Sequence, residues 1–314
     1  MTAPADVAIR ASGLTRQFET VTAVDGVNLE VPAGTVFGFL GPNGAGKTTT
    51  IRLLLGLLEP TAGESSVLGH DARRDGDALR RECGVLLEHA GLYERLSATE
   101  NLEYFGRLWH IPPKEREERI VELLEQFGLA GRRTEIVNTW SRGMKQKLAL
   151  ARALLHRPRV VFLDEPTAGL DPVAAAGLRS DLLDLARRET VTVFITTHNL
   201  DEAERMCDRV GVIRSGRVIA EGAPSSLRQG SARTITIEGA GFDRAVDVLR
   251  NLPDVASVEA ANGQLQIELT SAVPVAPLVR TLVEHGADIE EVHKGAGSLE
   301  AAFLALLEEP DAAP

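Results

Sequence analysis

The chain has 314 residues, 44% of them hydrophobic, with 45 acidic against 34 basic residues and a net charge of −11. That length and apolar content suit one large α/β domain with a small companion, each burying its own core, and they exclude disordered and collagen-like chains. The negative balance argues against a nucleic-acid binder that works by broad phosphate neutralisation; with no run near the roughly 18 apolar residues of a membrane span and no leader pattern in MTAPADVAIR, the chain is expected in the cytosol.

Residues 7 to 31 alternate apolar and polar positions, which predicts antiparallel strands with one buried face. The run Thr35 to Leu40 is nearly continuous in apolar character and reads as a buried parallel strand. It enters GPNGAGKT, Gly41 to Thr48, and helical periodicity follows from Thr48 to Leu58. This strand, loop and helix fit the phosphate-binding pattern G-x-x-x-x-G-K-[ST]. Glycines at 41, 44 and 46 let backbone N–H groups converge on phosphate oxygens, and the helix N-terminus adds its positive end. Lys47 is expected to reach the β- and γ-phosphates, and Thr48 to offer its hydroxyl to Mg²⁺. A plain glycine turn would account for the glycines but not for Lys47 and Thr48 in succession.

Residues 92 to 155 are dominated by helical periods, among them KEREERIVELLEQF with its apolar stripe at Ile120, Leu123, Leu124 and Phe127. A second buried strand, Val160 to Leu163, ends on Asp164 and Glu165. Alone, such an acidic pair reads as a helix cap; beside a phosphate loop, Asp164 suits Mg²⁺ and Glu165 suits a general base for an attacking water. The strand Val191 to Thr196 leads to His198, placed to hydrogen-bond a γ-phosphate oxygen. Ser215-Gly216 then turns one strand of a hairpin into the next. The two cysteines, Cys83 and Cys207, match no metal or redox spacing and read as reduced, packed thiols.

Gly222 to Ser231 is small, polar and broken by proline, and reads as a linker. Beyond it the pattern is strand, helix, strand, a turn at Asn262-Gly263, strand, helix, strand and a closing helix over SLEAAFLALLE, the order of a ferredoxin-like unit. The expected layout is therefore a nucleotide-binding domain at 1–222 with a helical subdomain at about 90–155, a linker at 223–231 and an α+β domain at 232–314.

Between the phosphate loop and the acidic strand end lies WSRGMKQKLALARALLHRP, in which Ser141 and Gly143 precede a helical run. With this segment, LDEPTAGLD at 163–171 and TTHNLDEAE at 196–204, the chain resembles the nucleotide-binding subunits of ABC transporters over about 220 residues. The resemblance implies an α/β P-loop NTPase fold with antiparallel β and helical subdomains, to which the C-terminal α+β unit is appended. It implies a head-to-tail homodimer that sandwiches two ATP molecules, with Ser141 and Gly143 reaching the γ-phosphate across the dimer, Asp171 in the loop linking the two sites, and Phe18 stacking on adenine. The expected ATP-binding set is thus Phe18, Gly41, Pro42, Asn43, Gly44, Ala45, Gly46, Lys47, Thr48, Thr49, Ser141, Gly143 and Asp171. Glu165 and His198 are the expected catalytic residues, and Thr48, Asp164 and Glu88 the expected metal ligands.

Two departures from the family pattern stand out. The signature reads WSRGM where LSGGQ is commonest, changing Trp140, Arg142 and Met144. The form SxGMxQ is similar to bacterial drug and antibiotic exporters of the daunorubicin-resistance type. The family's glutamine ligand for Mg²⁺ and water falls at Glu88, which can accept from water or bind the ion but, when ionised, cannot donate.

The function these features imply is an ATPase that powers a membrane exporter of drugs or antibiotics, peripheral on the cytoplasmic side of the cell membrane. Integral membrane permease subunits would dock in the groove beside residues 85–110. A soluble ATPase of DNA repair or translation would carry paired nucleotide domains, coiled-coil inserts or basic surfaces, and a switch without turnover would lack Glu165 and His198. The acidity itself is localised: residues 230–314 hold 14 acidic and 5 basic residues, a net −9, and residues 1–229 only −2. The small domain is therefore expected to face the cytosol rather than an anionic membrane surface.

Overall fold

In the computed structural model, which describes residues 7–231, 234–261, 263–270, 273–294, 299 and 303, the alternating N-terminal segment forms an antiparallel pair, β1 (Val7–Phe18) and β2 (Val21–Pro32). Alternation buries every second residue of a one-sided strand, and Ile9, Ala11, Val27, Leu29 and Val31 are buried accordingly. By contrast β3 (Val36–Leu40) is buried at every position, as a strand covered on both faces must be. The glycine loop follows, then α1 (Lys47–Leu54). This helix stops short of the predicted Leu58 because Gly56 turns left-handed at φ 62°, and the N–H groups of Leu57 and Leu58 bond back to the Arg52 carbonyl. β4 (Ala62–Val67) and β5 (His70–Asp71) complete an antiparallel sheet of order β2-β1-β4-β5.

After α2 (Gly76–Arg81) and β6 (Cys83–Leu86) come three helices, α3 (Ala98–Leu108), α4 (Pro113–Gln126) and α5 (Arg142–Leu154). A reciprocal capping box between Ser97 and Glu100 starts α3. The stripe Ile120, Leu123, Leu124 and Phe127 of α4 is buried as its spacing predicts. Beside it Arg119, only 1% exposed, donates to both carboxylate oxygens of Glu189 at 2.8 and 3.1 Å and to the Leu154 carbonyl at 2.9 Å.

The second sheet is completed by β7 (Val160–Asp164), α6 (Pro172–Glu189), β8 (Thr192–Thr197), α7 (Leu200–Met206), β9 (Arg209–Arg214) and β10 (Arg217–Gly222). Its order is β10-β9-β3-β8-β7-β6, with parallel pairing from β9 to β6. Phe37, Phe39 and Phe162 each lie within 5.6 Å of the Phe194 ring, centroid to centroid, and fill the space under the sheet. The hairpin turn has both residues left-handed, Ser215 at φ 48° and Gly216 at φ 83°, as a two-residue primed turn requires. Neither cysteine is paired, both are buried, and burial pushes both thiols up to about 12.

The chain divides into two compact units, Met1–Glu221 and Gly222–Pro314. The stretch read as a linker is helical instead: α8 (Pro224–Ser231) opens on a proline, whose missing N–H costs nothing in a first helical turn, and the Ala223 carbonyl accepts from the Ser226 and Leu227 N–H groups. β11 (Thr234–Ala240), α9 (Asp243–Arg250), β12 (Val255–Ala261), β13 (Gln264–Leu269), α10 (Val275–Glu284) and β14 (Asp288–Lys294) follow in the predicted order. They form an antiparallel sheet of order β12-β13-β11-β14, the split βαβ arrangement. Its core holds Ile235, Ile237, Leu249, Leu265, Ile267 and Leu282. Asn262 and most of the predicted closing helix lie outside the described residues; Leu299 and Phe303 are buried. Among the described residues no helix is long and apolar enough to cross a membrane.

Candidate nucleotide site

The strand order brings the carboxyl ends of β3, β8 and β7 side by side, the edge at which open parallel sheets place ligands, and the predicted site residues of these strands cluster there. The loop leaving β3 is gripped from two directions. A Cβ on Gly46, at φ 109°, would stand 2.4 Å from the Ala23 carbonyl oxygen of β2, and one on Gly41 would stand 2.4 Å from the Ile213 carbonyl of β9. The Gly216 N–H donates to Ala45 at 3.0 Å, while the Gly216 carbonyl accepts from Asp25 at 2.9 Å. Gly46 caps α1 without a side chain, and no acidic residue occupies the first turn, so the helix presents its N–H groups and positive end to an anion.

Lys47 is 6% exposed; its ammonium donates to the carbonyls of Gly41 at 2.6 Å and Pro42 at 3.2 Å and lies 3.2 Å from Glu165 Oε1. The Thr48 hydroxyl donates to Asp164 Oδ2 at 2.7 Å. The other oxygen of Asp164 accepts from the Thr196 hydroxyl at 2.5 Å, and that same hydroxyl accepts from the Glu165 N–H at 3.0 Å. Glu165 holds a left-handed φ of 50°, costly for a residue with a Cβ, and is pinned there by Thr196. Its Oε2 meets His198 Nδ1 at 2.5 Å. Beyond Glu165 the chain is tied down by the buried Glu202, which accepts from Thr167 at 2.7 Å and from Arg179 at 2.6 Å.

These groups surround a cavity of about 510 Å³. Of the predicted residues, Pro42, Asn43, Gly44, Gly46, Lys47, Thr48, Thr49, Glu88, Asp164, Glu165 and His198 line it. Gly41 and Ala45 are buried and do not line it. Ser141, Gly143 and Asp171 lie outside it. Ser141 caps α5 and Asp171 caps α6, accepting from Val173 and Ala174. Phe18, 41% exposed with the Arg16 guanidinium 4.5 Å from its ring centroid, is a surface residue and no part of a core. Ala23, Arg142, Gln146 and Ala168 line the cavity without having been expected there, and Thr196 underlies it.

Among the described residues no cluster of three or more His, Cys, Asp or Glu could hold a metal unaided. Thr48 and Asp164 converge as two hard oxygen donors in a cavity that Glu88 also lines, a set that fits Mg²⁺ completing its shell with phosphate oxygens and water.

The ABC transporter family model matches residues 24–168. The chain is 40% identical over 306 residues to the daunorubicin resistance ATP-binding protein DrrA3 of Streptomyces coeruleorubidus, covering 96% of each. It is 34% identical over 299 residues to the bacitracin transport ATP-binding protein BcrA of Bacillus licheniformis, covering 95% of this chain and 97% of that one. A solved dimeric ATP-binding cassette in a post-hydrolysis state, bound to ADP and phosphate, superposes with a TM-score of 0.62 at 27% identity over 68% of this chain and 98% of its own.

Proposed function

The chain belongs to the ABC transporter family of ATP-binding subunits, and from that premise we propose how its residues hydrolyse ATP and what that hydrolysis drives. As a transporter ATPase it binds ATP and releases ADP and phosphate. Lys47 and the N–H groups at the start of α1 hold the β- and γ-phosphates. Thr48 and Asp164, with Glu88 of the same cavity, would hold Mg²⁺, which would supply positive charge to offset that of the phosphates. Glu165 takes a proton from the attacking water as the water oxygen bonds to the γ-phosphorus and the bond to the ADP oxygen breaks. His198 orients Glu165 through Nδ1 and offers its other nitrogen to a γ-phosphate oxygen.

The observation that carries this reading is the placement of Glu165 between Lys47 and His198, beside the Thr48–Asp164 pair. Two copies closing head to tail over two ATP molecules would bring Ser141 and Gly143 of one to the γ-phosphate of the other; the dimeric cassette with ADP and phosphate supports such an assembly. Tyr93 and Tyr104, each 46% exposed and packed edge to face, with Leu108 nearby, offer an apolar patch suited to a permease. The protein would then sit at the cytoplasmic face of the membrane. Its full-length likeness to daunorubicin-resistance and bacitracin-transport subunits supports a drug or antibiotic as cargo.

Glu165→Gln tests the reading. Hydrolysis is expected to fall by about 10²-fold or more while ATP binding persists and an ATP-dependent dimer accumulates. Wild-type turnover in that variant would refute the role of Glu165. Failure to co-purify from membranes with a multi-span protein would refute the transport assembly.

A further inference from the structure

Glu202 of α7 does not line the nucleotide cavity, and its side chain is only 4% exposed. A carboxylate withdrawn this far from water needs a countercharge and hydrogen-bond donors. Its two oxygens find them on different elements: Oε1 accepts from Arg179 of α6 at 2.6 Å, and Oε2 accepts from the Thr167 hydroxyl at 2.7 Å. Arg179 answers the charge. Thr167 brings none, and it lies two residues past Glu165 in the loop that leads to Asp171.

These contacts close a ring around the Glu165–His198 pair. From Glu165 the chain runs through Pro166, whose own ring fixes φ, to Thr167, and the Ala168 N–H donates to the Glu165 carbonyl at 3.0 Å to close the turn. Thr167 reaches Glu202, whose N–H donates to the Asn199 side chain at 3.1 Å. Asn199 directly follows His198, and His198 Nδ1 returns to Glu165 Oε2 at 2.5 Å. The two members of the pair leave separate strands, β7 and β8, so a link beyond the sheet is needed to fix their spacing. Glu165 needs that restraint in particular, since its φ of 50° is a conformation that an unheld residue with a Cβ would leave.

We infer that Glu202 is a positioning residue for hydrolysis: through Thr167 on one side and Asn199 on the other, it holds the Glu165 carboxylate and the His198 imidazole at their working separation. The inference rests on the reading of Glu165 as the general base. A base displaced by about 1 Å loses rate steeply, whereas nucleotide affinity, which rests on Lys47 and the phosphate loop, is untouched. A residue that merely stabilised the fold would not divide kcat from KM in this way.

Thr167→Val tests the ring in the full-length protein, because it removes the hydroxyl while keeping the side-chain shape and the Glu202–Arg179 pair. Steady-state and single-turnover ATP hydrolysis, and titration with a fluorescent ATP analogue, are compared for T167V, T167S, H198A and T167V/H198A. T167V is expected to lower kcat about tenfold with KM and affinity within twofold, and T167S, which restores the hydroxyl, to recover kcat to within twofold. In the H198A background T167V should cost less than twofold more, because the ring is already open. Glu202→Asp retains the charge beside Arg179 but is one methylene short, so it should match T167V in kcat and add less than twofold to it; the Thr167 series decides alone if E202D does not fold. Unfolding midpoints within about 4 °C of wild type establish that the Thr167 variants are folded. An unchanged kcat in T167V, a loss that falls on KM, no rescue by T167S, or an equal loss in the two backgrounds would overturn the inference. A wild-type protein without ATPase activity, or one whose activity survives Glu165→Gln, would overturn the underlying reading instead.

Discussion

Glu165 Oε2 and His198 Nδ1 lie 2.5 Å apart, while the second oxygen of Glu165 stands 3.2 Å from the Lys47 ammonium. One carboxylate is thereby held at both oxygens by residues from two separate strand ends. The histidine is 58% exposed and contributes little to the core, and in the proposed mechanism its contact with Glu165 serves orientation. His198→Ala is expected to cut hydrolysis by about 10²-fold and to change nucleotide affinity by less than about threefold. Paired turnover and equilibrium binding measurements check it; a large loss of affinity with kcat preserved would contradict the assignment.

Thr196 supplies one hydroxyl to two backbone-critical neighbours, Asp164 and the N–H of Glu165, and is fully buried. Thr196→Val keeps the shape and removes both bonds, leaving a carboxylate oxygen short of a donor. We expect a loss of about 1–3 kcal/mol in urea unfolding together with slower hydrolysis. Unchanged stability and turnover would show that neither bond matters.

The buried guanidinium of Arg119 joins α4 to the last residue of α6 through Glu189. Arg119→Met strands that carboxylate in a half-buried position and should destabilise the N-terminal unit by about 3 kcal/mol, while Arg119→Met with Glu189→Gln should lose less. Thermal unfolding of the two variants distinguishes a paired charge from simple packing, since packing loss would be the same in both.

His156 stacks on Trp109 with ring centroids 4.1 Å apart, and its Nε2 lies 3.1 Å from the Cys83 carbonyl. Burial pushes its imidazole down to about 4 against the raising effect of that hydrogen bond, and the Arg119 guanidinium adds to the lowering. The unfolded chain takes up this proton below about pH 6.5 and the folded chain only below about pH 4, so the contribution is complete above pH 6.5 and is lost as pH falls through that window. The slope attributable to this one proton is at most about 1.4 kcal/mol per pH unit. His156→Gln should flatten the pH dependence of unfolding between those limits; identical slopes would exclude the effect.

A chain ending at Gln229 should bind ATP and migrate as a nearly neutral protein, because the excess acidity lies beyond that residue. Binding titration and isoelectric focusing test this together. Loss of nucleotide binding would mean that the N-terminal unit does not stand alone.

Much of this architecture is local in origin and was readable as such. The apolar runs of β3, β7 and β8, the alternating β1 and β2, the stripe of α4 and the Ser215-Gly216 turn each follow from a few adjacent residues. Thr196 was not readable as a catalytic support, since in TVFITT it is one more β-branched residue of a buried strand. Its role arises only because β8 lies between β3 and β7, a neighbourhood set by crossovers that no short window encodes. Arg142 was hidden for a related reason: its contact with Gly169 joins segments whose proximity is tertiary. The helix at Pro224–Ser231 was missed because proline and small polar residues signal a break, although proline opens helices as readily as it interrupts them.

The double grip on the glycine loop, by the Ala23 carbonyl on one side and by Ile213 and Gly216 on the other, sets its shape before any ligand arrives. The loop is a socket rather than a flap. A triphosphate meets amides already aimed at it, and little ordering entropy is charged against its affinity. Capture by such a loop depends on encounter and charge more than on rearrangement of its backbone. Ala23, a small residue outside every recognisable motif, thereby becomes part of the machinery of recognition through its backbone alone.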